Sequence, residues 1–412
     1  MNRYMSDKKH CNISPTLRSK MIIEEMKAQG KNIYNFGLGE NSVKQPSFFI
    51  EKMKEFAHKK HYASCEGIPS LNTTLKTMYN NEIMDYEVLV GNGLKELLFI
   101  CQFAFKGKII HVTPSWVSYK EHIDVLEREE CLIELQTKIE DNFHINLQEL
   151  ETILKTFEKQ PKMLLLNNPN NPTGICYSND ELKSLAAVLK KYNCMVFSDE
   201  IYLQLCHYEG QKSIRHYIPE LTLCGSSVSK DLACGGYRLG WVAFPKTQQE
   251  FFDKCKFFSS RIYSCAPVPI QYATDAMLCN RELYLDYAKK TAQLFKYVCS
   301  QLLPLFHQTK LVYSKTNASW YSFVDFSNYK VELDFKGIHD SIELADFLLQ
   351  EYGIVSVAGQ YFNHSSLAIR LSFVDFEYDF EKNDCIYEVD LSKMKKGIEQ
   401  IILFVQSLEY PL

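Results

Sequence analysis

The sequence predicts an α/β fold with two parts: a large domain, built on a mainly parallel seven-stranded sheet sandwiched by helices, and a smaller α+β domain. Three observations lead to this prediction. The middle of the chain alternates short apolar runs with amphipathic stretches, and the two chain ends follow a different pattern. In addition, a length of 412 residues exceeds what one hydrophobic core usually supports.

The predicted sheet consists of short runs rich in β-branched and aromatic residues. The runs in the middle of the chain are Tyr86–Val90, Lys108–Val112, Cys131–Leu135, Met163–Leu166, Met195–Ser198, Leu221–Cys224 and Trp241–Phe244. Between them lie stretches in which apolar residues recur about every 3.6 positions, which is typical of helices. The predicted helices are Leu94–Phe105, Tyr119–Glu129, Leu147–Lys159 and Asp180–Tyr192. In such βαβ units, ligands bind at the carboxyl ends of the strands.

Both chain ends combine longer helical patterns with a few short strands. The predicted helices there are Thr16–Gln29, Tyr284–Leu303 and Leu391–Leu408, and the predicted strands are Ser319–Phe326 and Leu367–Phe373. We expect residues 45–290 to form the large domain. Residues 1–44 and 291–412 are expected to form the smaller one together.

Composition and charge point to a protein that acts on small molecules. A net charge of −4 offers no electrostatic attraction for nucleic acid or for a membrane surface. The polar start Met1–His10 lacks the apolar stretch of a signal peptide, and apolar runs such as Leu97–Phe105 are too short to span a bilayer. No two of the 14 cysteines lie within four residues of each other, so no CxxC metal-ligand pair exists. A reduced, cytoplasmic protein without a bound metal is therefore expected.

Polar residues gather where three consecutive predicted strands end. An asparagine- and proline-rich tract follows the first strand, Asp199 and Tyr202 follow the second, and Ser227, Ser229 and Lys230 follow the third. Hydroxyl groups together with an arginine suit a phosphate dianion, and a lysine supplies an amine nucleophile. Each residue alone is more often a turn, a helix cap or a surface charge. The order and spacing of the whole set therefore carry the argument.

This order resembles the signature of the pyridoxal-phosphate-dependent aminotransferases of fold type I, class I/II, which include the aspartate and aromatic aminotransferases. The signature residues are Asn171-Pro172-Thr173-Gly174, Asp199, Tyr202, Ser227-Val228-Ser229-Lys230 and Arg238. Similar segments flank them in the family's order: Phe36-Gly37-Leu38-Gly39-Glu40, Tyr62 with Glu66-Gly67-Ile68-Pro69, Val90-Gly91-Asn92-Gly93, Pro114-Ser115-Trp116-Val117-Ser118-Tyr119 and Ala368-Ile369-Arg370-Leu371-Ser372-Phe373. The resemblance extends from about residue 27 to residue 373.

The resemblance implies a role for each residue at a pyridoxal 5'-phosphate site in the large domain. Lys230 would carry the cofactor as a Schiff base and move a proton during catalysis. Asp199 would pair with the pyridine nitrogen, Tyr202 and Asn171 would bind the ring oxygen, and Trp116 would stack on the ring. The phosphate would be bound by the N–H groups of Gly93, Leu94 and Lys95, by the hydroxyls of Ser227 and Ser229, and by Arg238.

The substrates implied by the resemblance are an L-amino acid and a 2-oxo acid, which exchange an amino group in a ping-pong reaction. Arg370 would hold the substrate carboxylate with help from Asn171 and Gly39, beside the ring of Trp116. Arg261 lies close to where the family's dicarboxylate-binding arginine would fall, one position out of register, so a substrate role and a structural role both stay open. The family also implies a homodimer with shared active sites, in which Tyr62 reaches the neighbouring subunit's cofactor phosphate.

Some positions depart from the family's pattern. Asn41 and Ser42 replace its proline and aspartate, Asn72 replaces an arginine, and Asn363-His364-Ser365-Ser366 replaces a glycine-rich segment. We expect these changes to affect substrate choice rather than cofactor binding. Two other functions stay open at this stage: a lyase, decarboxylase or synthase with the same cofactor, and a homologue without catalytic activity.

Overall fold

The central sheet has the predicted strands in a computed structural model that describes residues 23–24, 26, 28, 30–383 and 385–409. Its strands are β2 (Tyr86–Gly91), β3 (Lys108–Thr113), β4 (Leu132–Gln136), β5 (Lys162–Asn167), β6 (Met195–Asp199), β7 (Thr222–Ser227) and β8 (Gly240–Pro245). The seven-stranded prediction is confirmed, with strand ends displaced by at most one residue, except that β7 extends three residues further than predicted, to Ser227. A short strand, β1 (Tyr34–Asn35), precedes them outside this sheet.

The strands follow the order β2-β8-β7-β6-β5-β3-β4. Only β8 runs antiparallel to its neighbours, so the sheet is mainly parallel. All residues of β5 are buried, as expected of a strand covered by helices on both faces. The register places Asn167 opposite Asp199, so the polar residues that end β5 and β6 lie side by side.

Helices of the first two-thirds of the chain cover the sheet. They are α1 (Ser47–Phe56), α2 (Pro69–Tyr79), α3 (Leu94–Ala104), α4 (Ser118–Val125), α5 (Leu147–Thr156), α6 (Asn179–Lys191), the short α7 (Val228–Asp231), α8 (Gln249–Ile262) and α9 (Val268–Cys279). The sequence prediction extended α4 to Glu129. The helix ends earlier because Glu127 has a left-handed backbone, with φ of 54°, which a helix does not accommodate. Ser178 and Glu181 form a reciprocal cap that fixes the start of α6.

The remaining elements lie in the last third of the described chain. They are α10 (Arg281–Leu302), β9 (Val312–Tyr313), β10 (Tyr321–Asp325), α11 (Lys330–Phe335), α12 (Ser341–Tyr352), β11 (Ile354–Val355), β12 (Val357–Ala358), β13 (Ala368–Ser372) and α13 (Ser392–Glu409). Strands β9, β10, β12 and β13 form one sheet, and β1 pairs with β11. We propose that residues 291–412 form the smaller domain together with residues 1–44, so that its boundary falls within α10; residues 1–22 of this prediction lie outside the described residues. The predicted helix Thr16–Gln29 lies mostly outside the described residues.

Within the described ranges, no helix combines the length and the apolar character needed to cross a bilayer.

Candidate active site

A cavity of about 750 Å³ opens at the carboxyl ends of the central strands, and strands β10, β12 and β13 contribute to its other side. Most residues that the sequence analysis selected line this cavity. They are Gly39, Leu94, Lys95, Trp116, Asn171, Asp199, Tyr202, Ser227, Ser229, Lys230, Arg238 and Arg370. The fold thus brings together residues that are up to about 330 positions apart in the chain, as parallel strands do at their carboxyl ends.

Lys230 lies on the one-turn helix α7, directly after strand β7. Its Nζ donates a hydrogen bond to the carbonyl oxygen of Gly39. The same Nζ lies 5.9 Å from the centre of the Tyr202 ring. No described carboxylate forms an ion pair with this amine, so it is held only by neutral groups.

Asp199 is a buried carboxylate at the end of β6. The hydroxyl of Tyr119 donates to its Oδ2 at 2.7 Å, and the N–H of Ile201 donates to its Oδ1 at 3.2 Å. Burial raises the pKa of Asp199 to about 6, and the two hydrogen bonds act in the opposite direction. The carboxylate is therefore mostly ionised at pH 7, in a position where a cationic ligand would be stabilised.

Tyr202 forms a hydroxyl pair that the sequence analysis missed. Its oxygen lies 2.9 Å from the oxygen of Tyr321, and both side chains are buried. Burial and the neighbouring Tyr321 raise the pKa of Tyr202 well above its ordinary value, so the hydroxyl stays protonated and can donate. Tyr321 also donates to the Gly39 carbonyl at 3.3 Å. The strand that carries Tyr321 was predicted, but the place of Tyr321 in the cavity lining depends on how β10 pairs with β13.

An anion-binding arrangement lies at the start of helix α3. No side chain caps the first N–H groups of this helix, and Arg238 lies across them, with its Nη2 donating to the Asn92 carbonyl at 3.1 Å. Gly93 has a φ of 93°, which residues with a side chain rarely adopt, and a Cβ atom there would displace the Arg238 guanidinium, which it would approach to 2.4 Å. The Gly93 N–H, expected to face a phosphate, instead donates to the Gly91 carbonyl at 2.8 Å. Gly93 therefore contributes through its missing side chain.

Arg370 lies on β13 on the other side of the cavity and is buried. Its Nη2 donates to the Gly37 carbonyl at 2.7 Å, and its Nη1 donates to Asn171 Oδ1 at 3.3 Å. Burial lowers the pKa of the Arg370 guanidinium below its ordinary value, and the opposing effect of the nearby Tyr321 is smaller. Among the described residues no carboxylate pairs with this cation. A buried and unpaired guanidinium suits an anionic ligand.

Two of the predicted site residues lie elsewhere in the same chain. Tyr62 is 91% exposed and does not line the described cavity. The guanidinium of Arg261 lies 3.5 Å from the centre of the Phe257 ring and donates to the Phe257 carbonyl at 3.0 Å. Neither residue therefore contributes to the cavity lining of the described chain.

The departures from the family's pattern have different locations. Asn363 lines the cavity in a left-handed backbone conformation, with φ of 57°. Asn72 lies outside the described cavity, and its amide donates to the carbonyls of Glu66 and Val88 at 2.9 and 3.1 Å. The Asn72 side chain thus links helix α2 to the segment that precedes it and to strand β2.

The cavity thus combines three kinds of group: an amine, a buried carboxylate without a cation, and cationic or N–H groups without an anion. Such a site can hold a ligand that carries both a phosphate and a protonated ring nitrogen, next to a second ligand that carries a carboxylate. The Lys230 amine lines the same cavity, and an amine in such a site can transfer a proton.

Comparison with known proteins identifies a matching family and several similar proteins. The family model "Aminotransferase class I and II" matches residues 31–378. An asparagine–oxo-acid transaminase of Streptococcus mutans is 26% identical, covering 95% of this chain and 96% of the relative. An aspartate aminotransferase of Sulfolobus acidocaldarius is also 26% identical, covering 93% of this chain and 92% of the relative.

Solved structures agree in fold. The aspartate aminotransferase of Thermus thermophilus with maleate superposes with a TM-score of 0.79 at 23% identity, covering 95% of this chain and 96% of that one. The aspartate aminotransferase of Rhizobium meliloti gives 0.81 at 20% identity, covering 98% and 99%. Relatives named as transaminases do not favour the lyase, decarboxylase or synthase alternative. Because the family model covers most of its length, this chain belongs to the class I and II aminotransferases and is a pyridoxal-phosphate-dependent transferase enzyme.

Proposed function

We propose that Lys230 binds pyridoxal phosphate as a Schiff base and carries the proton in amino transfer from an L-amino acid to a 2-oxo acid. One observation carries this proposal: one cavity is lined by the Lys230 amine, the Asp199 carboxylate and the Arg370 guanidinium, and neither of the last two forms an ion pair with another described residue. The bound cofactor supplies an electron sink for the electrons released at the substrate α-carbon.

The residues present fit the cofactor's phosphate. The N–H groups of Leu94 and Lys95 begin an uncapped helix of 11 residues, and a helix N-terminus attracts anions. Arg238 adds a full positive charge beside them. The Ser227 hydroxyl accepts a hydrogen bond from the Ser229 N–H at 3.1 Å, which leaves its proton free for a phosphate oxygen.

The residues also fit the cofactor's ring. Asp199 would accept the hydrogen bond of a protonated pyridine nitrogen, and its charge would keep that nitrogen protonated. Tyr202 and Asn171 would donate to the ring oxygen, and Trp116 would cover one ring face. Tyr119 keeps Asp199 oriented through its 2.7 Å hydrogen bond.

The substrate is proposed to bind between Arg370 and Lys230. Arg370 would hold the α-carboxylate, and Asn171 would fix the position of the Arg370 guanidinium. The Gly39 segment would fix the position of the Lys230 amine. Once released, the Lys230 amine would take the α-proton and return a proton to the cofactor's C4′ atom. Holding the carboxylate fixes the α-carbon near the amine, which lowers the entropy cost of the proton transfer.

The most direct test of this function uses the purified holoenzyme with a panel of L-amino acids and no oxo acid. We expect one or more amino acids to convert the visible absorption band of the lysine-bound cofactor to that of its amine form. Adding a 2-oxo acid should restore the first band. A protein that releases carbon dioxide or ammonia instead, without the reversible band change, would contradict the proposal.

Replacing Arg370 by lysine tests the carboxylate site. The charge stays, but the planar fork of donors is lost, so we expect KM for both the amino acid and the oxo acid to rise by about 10- to 100-fold. The cofactor's absorption spectrum should stay unchanged, because Arg370 is not proposed to hold the cofactor. Unchanged KM values for both substrates would remove Arg370 from the carboxylate site.

We also propose that the enzyme is a homodimer with shared active sites, in which Tyr62 binds the partner's cofactor phosphate. The exposure of Tyr62 supports this, because a large aromatic side chain that is 91% exposed in one chain is available to a second.

A cytoplasmic location is also proposed for the enzyme. The cysteines of the described part are free thiols, most of them buried, in accord with a reducing compartment.

Mixed dimers test the role of Tyr62 in the partner's site. Homodimers of Lys230→Ala and of Tyr62→Ala should each be impaired. A mixed dimer combines both defects at one site, but its other site takes Lys230 from one chain and Tyr62 from the other. Refolding the two variants together in equal amounts should restore up to about a quarter of wild-type activity if chains pair at random. If subunit exchange is verified and activity only averages the two parents, Tyr62 does not act across the dimer.

Arg261→Leu tests whether Arg261 reads a side-chain carboxylate from the partner subunit. Such a role predicts about a tenfold or greater loss of kcat/KM for aspartate and glutamate, with alanine and phenylalanine unchanged. Equal losses for all four amino acids would assign Arg261 to its own helix, where it stacks on Phe257.

A further inference from the structure

The N-terminal segment 37–45 contacts Lys230 at two places. We propose that Asn41 in this segment is a positioning residue, which fixes the Lys230 backbone relative to Arg370. The proposal rests on the function proposed above for Lys230 and adds a residue to it. In the motif that the chain resembles, this position is a proline, which has no side-chain donor.

Helix α7, which carries Lys230, has only four residues. Its last carbonyl groups have no partner within the helix, as at every helix end. A side-chain amide from the N-terminal segment serves one of them, because Asn41 Nδ2 donates to the Lys230 carbonyl at 2.8 Å. A second amide, Gln45 Nε2, donates to the Ala233 carbonyl at 3.1 Å, in the turn that follows the helix.

The Asn41 side chain is held at both ends of its amide and is only 9% exposed. Its Oδ1 accepts a hydrogen bond from the Val43 N–H at 3.0 Å, while its Nδ2 donates to Lys230. An amide that accepts at one end from a donor and donates at the other end to an acceptor has only one consistent orientation. Asn41 is therefore a fixed link between the segment and the lysine.

The same segment also contacts the Lys230 amine and the Arg370 guanidinium through its backbone carbonyl groups. The Gly39 carbonyl accepts from the Lys230 Nζ, and the Gly37 carbonyl accepts from Arg370 Nη2 at 2.7 Å. The segment thus contacts the amine that moves the proton and the guanidinium that holds the substrate. Asn41 sets the backbone of Lys230 against this segment. A displacement of about 1 Å between two such groups is enough to slow a reaction by about 100-fold.

The test uses holoenzymes of Asn41→Ala, Asn41→Asp and Asn41→Gln, with Gln45→Ala as the matched control. Gln45 makes the same kind of bond to the same turn, three residues beyond Lys230. Two quantities are measured: the pH midpoint of the lysine-bound cofactor's absorption change, and the single-turnover rate at saturating amino acid. Thermal unfolding of each holoenzyme shows whether the fold is retained.

We expect Asn41→Ala and Asn41→Asp to lower the single-turnover rate by about 10- to 100-fold and to displace the absorption midpoint, while KM changes little. Asn41→Gln keeps the donor on a longer arm and should recover part of the rate. Gln45→Ala should keep the midpoint and most of the rate. If Asn41→Ala does not fold, Asn41→Asp, which has the same shape, gives the answer.

Two results would overturn the proposal. One is a wild-type midpoint and rate in folded Asn41→Ala or Asn41→Asp. The other is an equal effect of Gln45→Ala, which would make Asn41 one of two general supports of the turn. The proposed function fails separately, if a lysine other than Lys230 carries the cofactor, and that result is read from the modified peptide without any Asn41 variant.

Discussion

Replacing Lys230 by alanine is expected to abolish amino transfer, with turnover reduced by at least about 10³-fold, while the protein still binds pyridoxal phosphate. The loss is large because one side chain is both the nucleophile and the proton carrier. Binding persists because the phosphate site, formed by helix α3, Arg238 and the two serines, is separate from the amine. Turnover is measured with the best amino acid of the panel, and bound cofactor is measured by absorption after gel filtration.

Lys120→Ala is the matched control for this prediction. Lys120 also lines the cavity, but its Nζ pairs with Asp124 at 2.9 Å and it has no proposed role in the chemistry. We expect the control to retain turnover and cofactor. Normal turnover in Lys230→Ala would refute the assignment of Lys230, and loss of the cofactor from that variant would show that the phosphate site alone does not hold it.

Replacing Asp199 by alanine has the second largest expected effect. The variant should bind some cofactor but lose at least about 10²- to 10³-fold in rate, because a neutral pyridine ring is a poor electron sink. Binding of the cofactor's cationic ring should also become weaker. Both quantities are measured on the reconstituted variant at saturating cofactor.

Glu200→Gln provides the control for Asp199. Glu200 is a buried carboxyl group at the next position, but it accepts hydrogen bonds from Ser198 and Ser213 and does not line the described cavity. Its loss should lower the thermal stability and leave the rate per folded enzyme nearly unchanged. If Asp199→Ala turned over like the wild type, another carboxylate would have to serve the cofactor.

The central sheet could be predicted from the sequence because its strands are buried on both faces. Strand β5, for example, reads as one continuous apolar run between turn signals, and both ends were found within one residue. Helix α9 was not predicted. Its buried face includes the polar residues Gln271 and Thr274, while its opposite face carries the partly buried Val268, Tyr272 and Ala276. The sequence therefore lacks the contrast between an apolar and a polar face that makes a surface helix recognisable.

The site residues that belong to local sequence motifs could be predicted from the sequence. Asp199, Lys230 and Arg238 follow strand ends at recognisable spacings, and the fold brings them to one cavity. Tyr321 was missed because its role depends on the pairing of β10 with β13, which sets Phe323 opposite Arg370 and leaves Tyr321 near Gly39. Tyr119 belonged to a motif that was noted, but its bond to Asp199 joins residues 80 positions apart. Such contacts depend on the three-dimensional fold and not on a local pattern.

The measurement that tests the central claim most directly is the location of the cofactor's covalent bond. The holoenzyme is reduced with borohydride, digested and analysed by mass spectrometry for a lysine that carries the reduced cofactor. The account predicts that the modified lysine is Lys230, in the peptide Ser226-Ser227-Val228-Ser229-Lys230-Asp231, and that the Lys230→Ala variant yields no modified peptide. Stoichiometric modification of another lysine, or a holoenzyme that keeps its cofactor without any reducible bond, would contradict it.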